Sequence, residues 1–238
     1  MKTIFLCLLF LIMASFIKCL ISNPINKDFL TRKSACDKCN QKLKPLDLIP
    51  LLSFIFLKGK CRYCKKNIDI NIFLYEVFSF IILVFYLLTK NILPLSYIDY
   101  FIILILIFIS IEDINKYEIN EKLQIILLFL CGINFFLKQD ISNLKNTFIL
   151  VLIYHLIYLI TLKNIGYGDI KLFSILSLNL TLSKGIYLFL YTFIIAGFFV
   201  LILLLLKKAT KNTKIPLAPY ITLAYIIILI QGGITWII

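Results

Sequence analysis

Two aspartates in this chain stand where an acid is costly to keep. Asp169 lies in Gly166-Tyr167-Gly168-Asp169-Ile170-Lys171, a glycine-flexed turn between apolar runs. Asp113 lies in Ser110-Ile111-Glu112-Asp113-Ile114-Asn115, at the end of another. An ionised group near the bilayer core costs roughly 2.5–3.5 kcal/mol on insertion scales, so acids kept there are paired and functional. Two carboxylates that meet do not both ionise: one holds a proton while the other activates water. Peptide hydrolysis by paired aspartates needs that division of labour, a base for the attacking water and an acid for the leaving amine. Gly166 and Gly168 let the backbone approach closely and aim the acid. Each signal also has a plainer reading, since an Asp at a helix end is commonly a cap or a solvated charge. Glu112 competes with Asp113 for the role. Glu118 and Glu121 read as loop charges, and the lone His155 reads as a helix–helix hydrogen bonder.

The cysteines suggest a second kind of chemistry. Cys36-Asp37-Lys38-Cys39 and Cys61-Arg62-Tyr63-Cys64 are two Cys-x-x-Cys pairs 21 residues apart. That pattern fits a tetrahedral zinc site of four thiolates, structural because no position is left for water. Two disulfides would be the alternative in an exported loop, but a reducing cytoplasm favours metal. Such a site would hold a polar loop too small to fold on a core of its own. Cys7, Cys19 and Cys131 lie in or beside apolar runs and read as packing residues.

The elements that must position these groups are membrane helices. The chain has 238 residues, 61% hydrophobic and only 16% charged, with a mean hydropathy of +0.99. This describes an all-α polytopic membrane protein rather than a soluble domain. The expected organisation is a first transmembrane helix in 1–22, a polar loop domain in 23–69 and a membrane-embedded domain in 70–238. The apolar run 4–22 reads as a retained helix rather than a cleaved signal peptide, because no small-x-small site ends it. Further spans are expected at about 70–89, 97–112, 123–137, 146–163, 170–182, 186–206 and 217–237, making eight. The net charge of +13 could suggest nucleic acid, but its distribution marks cytoplasmic loops instead. With loops 23–69, 113–122, 163–171 and 207–216 inside, only Lys2, Lys90, Lys138, Lys145 and Lys184 of the 25 Lys and Arg fall outside. Asp113 and Asp169 then share the cytoplasmic face, whereas Asp99 and Asp140 belong to the opposite one. Within 23–69, the mostly apolar stretch 46–57 is expected to lie on the membrane surface or to pack on the helix bundle, and the surrounding Lys and Arg to anchor the loop to anionic lipid.

Several short stretches, taken in order, carry a family resemblance. They are Ala14-Ser15-Phe16; Ile49-Pro50-Leu51-Leu52-Ser53-Phe54 and Gly59-Lys60-Cys61-Arg62-Tyr63-Cys64 with the two cysteine pairs; Tyr75-Glu76; Asp113 with Ile119; Gly166-Tyr167-Gly168-Asp169-Ile170-Lys171-Leu172; and Ile215-Pro216-Leu217-Ala218-Pro219-Tyr220. In these the chain resembles the type IV prepilin peptidases, bifunctional leader peptidases and N-methyltransferases of pilus, type II secretion and competence systems. It departs from that pattern at Ala14 (usually Gly), Lys18 (commonly Asn), Asp37 (often Pro) and Asn120-Glu121 (usually Pro-Asn or Pro-Asp). None of these changes touches the acids or thiols.

The resemblance implies an aspartic endopeptidase in the cytoplasmic membrane, with its active site facing the cytoplasm. Its substrates would be type IV prepilins or pseudopilins, whose leader is removed. Asp113 and Asp169 would be catalytic, and Gly166, Gly168 and Lys171 would support the catalytic loop. The new N-terminal residue would be methylated from S-adenosylmethionine, with Glu76 the candidate for that step. Zn2+ would be held by Cys36, Cys39, Cys61 and Cys64, and nucleic acid would not be a partner. One alternative is a peptidase without methyltransferase activity, although family variants of that kind generally lack the cysteine-rich domain. Another is a proton-coupled transporter, which would need acids nearer mid-span and no four-cysteine loop.

Overall fold

The computed structural model describes residues 16–17, 34–36, 38–49, 51–89, 92, 95–138, 142–162, 165–207 and 214–234. Of the expected first span only Phe16 and Ile17 are described, both helical, and Cys7, Lys18, Cys19, Asp37 and Asp140 lie outside the described residues. Among those described, the chain is helical, with two isolated β-bridges and no strand longer than one residue. A 3-10 turn at Pro45–Leu48 is followed by α1 (Leu52–Phe56), α2 (Ile70–Thr89), α3 (Tyr97–Lys116) and α4 (Glu121–Lys138). Then come α5 (Ser142–Ile160), α6 (Tyr167–Leu176), α7 (Leu182–Leu205) and α8 (Ala218–Ile234). Packing separates residues 1–87 from residues 88–238.

The first unit is built on a repeated turn. Ala35 bridges Lys42, and Lys60 bridges Asn67. In the first turn Cys36 N–H donates to Gln41 O, Asn40 N–H to Cys36 O and Leu43 N–H to Ser34 O; in the second Cys61 N–H donates to Lys66 O, Lys65 N–H to Cys61 O and Ile68 N–H to Gly59 O. Asn40 and Lys65, each following its second cysteine, are both left-handed, at φ 54° and 58°. The same knuckle thus occurs twice, 25 residues apart in the sequence. The carboxylate of Asp47 ties the 3-10 turn to the second knuckle. Its Oδ1 accepts from Arg62 Nε at 2.8 Å and lies 2.7 Å from Nη2 of the same guanidinium. Charge-assisted bonds are stronger than neutral ones, and the Arg62 bond holds the Asp47 carboxyl below the usual range. The ring of Phe54 stacks on Phe73 at 4.5 Å, seating α1 on the start of α2. Leu46, Leu52, Ile55 and Phe56 stay exposed, an apolar face of the kind a membrane surface takes.

In the second unit α3 is the most enclosed helix. From Ile98 to Asp113 all but Ile107 are buried. It packs against α4 and α8; α8 packs on α7, α7 on α5 and α6, α5 on α6, and α6 on α4, closing the set. The start of α3 is a capping box. Asp99 N–H donates to Ser96 Oγ, and Asp99 Oδ2 accepts from Ser96 N–H at 2.9 Å, satisfying two helix-end donors reciprocally. Asp99 Oδ1 accepts from Asn134 Nδ2 at 2.8 Å, and Lys138 lies 3.5 Å from it. Asp99 therefore fastens α3 to α4 at the end far from Asp113, about 21 Å away at 1.5 Å per residue. Tyr117, left-handed at φ 54° and ψ 30°, ends α3 by returning its N–H to Asp113 O.

Most helix positions agree with the periodicity and length arguments, but the expected span at 170–182 does not. There the structure has the ten-residue α6 and a three-residue 3-10 turn, Ser177–Asn179. Ten residues rise about 15 Å, half the ~30 Å of hydrocarbon. Among the described residues, Ile70–Thr89 and Leu182–Leu205 are long and apolar enough to cross a membrane, and Leu144–Ile160 and Ala218–Gln231 are apolar but shorter. Eight crossings are not established by these lengths.

Candidate functional site

The second unit holds both Asp113 and Asp169, close enough for the charge of Asp113 to act on Asp169. Asp113 ends the enclosed part of α3 and is 5% exposed. Its Oδ2 accepts the Ala218 N–H at 3.0 Å from the opening turn of α8, and the neighbouring Leu217 N–H also favours its charged form. Asp169 sits in the first turn of α6. Gly166 precedes that helix in extended geometry and its carbonyl accepts from Asp169 and Ile170. A Cβ at Gly166 would stand 2.7 Å from Asp169 Oδ2, and one at Gly168 would stand 3.3 Å from Ile119 in the loop after α3. The two glycines therefore serve close approach, one by the acid's own carboxylate and one by the loop that follows the other acid.

Charge and burial distinguish the two acids, both of which lie just beyond the apolar stretches 97–112 and 170–182. Asp169 Oδ1 is enclosed and has no hydrogen-bond partner among the described residues. Burial pushes the Asp169 carboxyl up to about 7, and the charge of Asp113 adds to the rise. Burial raises Asp113 as well, but the Ala218 and Leu217 N–H groups oppose it. A carboxylate that accepts backbone N–H bonds favours its charged form, and one left dry favours its proton. The pair can therefore present one base and one acid near neutral pH.

The competing acids are otherwise engaged. Glu112 is buried and pairs with Lys116 one turn on. Glu121 is exposed and lies 3.3 Å from Lys171, whose ammonium also stands 5.2 Å over the Tyr167 ring. Tyr167 is flanked by Tyr158 at 5.4 Å and His155 at 6.2 Å. Among the described residues His155 is not seen to bond another helix as expected: its Nδ1 meets Val151 O of its own helix at 2.8 Å, and its ring meets Tyr167 of α6 in a T-shaped contact. Sequence reading also missed Gln124, which is 5% exposed and donates to Gly168 O at 2.8 Å. A glutamine within an apolar run was the available signal.

In the first unit, the Sγ atoms of Cys36, Cys39, Cys61 and Cys64 lie within 4.8 Å of one another. Tetrahedral zinc with Zn–S near 2.3 Å sets its sulfurs about 3.8 Å apart, so the four thiols fit that metal. The N–H groups of Cys64 and Tyr63 lower the Cys61 thiol to about 7, toward the thiolate a metal needs. Lys38 N–H likewise donates to Cys36 Sγ at 3.4 Å. Glu76, 8% exposed on α2, accepts the Leu51 N–H at 2.7 Å. Leu51 has φ 62° and ψ −51°, a backbone region that costs a leucine on the order of 1–3 kcal/mol. The first role of Glu76 is thus to hold that strained turn to α2.

Comparison with known proteins follows the same division of the chain. A model of the bacterial peptidase A24 N-terminal domain matches residues 8–90, and one of the type IV leader peptidase family matches residues 100–205. A Bacillus subtilis protein named prepilin leader peptidase/N-methyltransferase is 28% identical over 216 residues, covering 88% of this chain and 86% of the relative. A Vibrio cholerae protein of the same name is also 28% identical, over 228 residues, covering 89% and 86%. A third, from Pseudomonas aeruginosa, is 26% identical over 231 residues, covering 84% and 71%. No solved structure matches the chain.

Proposed function

The chain belongs to the type IV leader peptidase family, and from that premise we propose that Asp113 and Asp169 hydrolyse the leader of a type IV prepilin or pseudopilin at the cytoplasmic face of the cell membrane. The observation that carries this reading is electrostatic. Asp169 rises under burial and the charge of Asp113, so the two carboxylates act on each other, whereas Glu112 pairs with Lys116. A water between the acids loses a proton to the ionised carboxylate as its oxygen attacks the scissile carbonyl carbon. The protonated acid donates to the carbonyl oxygen. When the tetrahedral adduct collapses, the C–N bond breaks and the amine leaves with a proton from the pair. Gly166 and Gly168 hold the backbone of α6 close enough for this geometry, and the Lys171–Glu121 pair with Tyr167 steadies its first turn.

Methylation of the new N-terminal amine is the second proposed activity, supported by the name the relatives share. S-adenosylmethionine would supply the methyl group. Glu76 is the candidate residue, although Oε2 already serves the Leu51 N–H. The four thiolates would hold structural Zn2+, fixing the two knuckles against each other. The reading keeps the organisation 1–22, 23–69 and 70–238, with the loop on the cytoplasmic side and its exposed apolar face against lipid. A transporter relay gains no support, because both acids lie at helix ends. The test is the intact mass of a co-expressed prepilin's N-terminus. The expected product lacks the leader and carries one added methyl group. A mature, unmethylated pilin would remove the methyltransferase, and a retained leader would remove the peptidase.

A further inference from the structure

The bonds that distinguish the two acids depend on how α8 is registered against α3. A slip of one residue between the two helices is about 1.5 Å, enough to break a 3.0 Å hydrogen bond. One turn below Asp113 a polar pair joins the two helices. Ser110 Oγ and Thr222 Oγ1 are 2.8 Å apart. Ser110 donates to Leu106 O at 2.8 Å. Thr222 Oγ1 approaches that same carbonyl at 3.2 Å and its own helix's Ala218 O at 2.9 Å. Ser110 is three residues before Asp113 on α3, and Thr222 is four residues after Ala218 on α8. Both are buried, at 7% and 4% exposure. Polar side chains inside apolar helix pairs act as such fasteners. Among the described residues the hydrogen bonds of Ser110 and Thr222 go to each other and to helix carbonyls rather than to either acid, so the hydrolytic reading leaves them unused.

We propose that Ser110 and Thr222 are positioning residues, a clamp that keeps the Leu217 and Ala218 amides on Asp113 and so makes Asp113 the resting base and Asp169 the resting acid. The inference rests on reading the two aspartates as a catalytic pair. The neighbouring titratable groups do not supply the asymmetry. Glu112, on α3, is paired with Lys116; Glu121 of α4 and Lys171 of α6 are paired with each other; and Tyr220 of α8 is buried. That leaves the α8 amides as the feature Asp113 has and Asp169 lacks.

The experiment uses full-length enzyme in lipid vesicles with a type IV prepilin, comparing wild type, Ser110→Ala, Thr222→Val and Thr222→Ser. Thr222→Val should lower kcat roughly tenfold, the loss expected for about one net hydrogen bond in the transition state, with KM within about twofold because the clamp is not predicted to touch substrate. The acid limb of kcat/KM should move to higher pH, since Asp113 without its amide donors takes up a proton more readily. Ser110→Ala should shift it in the same direction, and Thr222→Ser should restore the wild-type profile. An acid limb unmoved in both clamp variants would overturn the inference. Should those variants fail to fold, aspartate-13Cγ spectra of the wild type and Asp169→Asn decide. The protonated carboxyl signal must vanish in Asp169→Asn; its persistence there would overturn the assignment. The parent reading fails separately, if Asp113→Asn or Asp169→Asn still cleaves.

Discussion

Leader cleavage should fall by at least about a thousandfold in Asp113→Asn and equally in Asp169→Asn. Each replacement removes one half of a proton-transfer pair, and general acid–base catalysis by one group contributes about 10²–10⁴-fold. Two groups acting as a unit fail together, so the double variant should be little worse than either single one. The controls follow from the geometry. Glu112→Gln should keep cleavage within about threefold, because Glu112 is occupied by Lys116 and so is not free to transfer a proton in the reaction. Asp140→Asn should be silent if the loop charges orient the chain as expected, with Asp140 on the opposite face. Measuring initial rates of leader release for the five variants checks the whole set. Cleavage retained in one aspartate variant but lost in Glu112→Gln would transfer the role to Glu112.

The next largest effect is expected from the cysteines. Purified enzyme should carry one zinc per chain, and Cys36→Ser or Cys61→Ser should lose it. Structural zinc contributes on the order of 10 kcal/mol to small domains of this kind. The two knuckles have little else to rely on: within 34–68, Asp47 and Cys61 are the buried residues among those described. Without metal, residues 34–68 should become a preferred site of proteolysis, while α2 and the second unit resist. Metal analysis with limited digestion tests this directly. A metal-free wild type with protected knuckles would show that the four thiols, although within 4.8 Å of one another, hold the loop by other means.

The features legible in the sequence are those carried by residue type at short spacing. Gly-Tyr-Gly-Asp and the two Cys-x-x-Cys pairs could be read directly, and long apolar runs placed α2, α3, α4, α5, α7 and α8 to within a few residues. Ser96-x-x-Asp99 also has the form of a capping box, a role that assigning Asp99 to the opposite face leaves out. What could not be read are partnerships across the fold. Gln124 finds Gly168 44 residues away, Ser110 finds Thr222 112 residues away, and Ala218 donates to Asp113 105 residues back. No periodicity encodes such pairs, since each depends on which helices become neighbours. The span expected at 170–182 failed for a related reason. Hydropathy registers an apolar run but not where the helix stops, and α6 gives way to a 3-10 turn after Leu176.

The most direct test of the central claim, that paired carboxylates activate water at the leader junction, is to trace the oxygen. A single turnover in 18O-enriched water, with hydroxylamine present and the released leader analysed by mass, separates direct hydrolysis from an acyl-enzyme route. The dyad predicts one solvent oxygen in the leader's new carboxylate and no hydroxamate. Capture of the leader as a hydroxamate would mean that a nucleophilic side chain had carried it, and would contradict the assignment of Asp113 and Asp169.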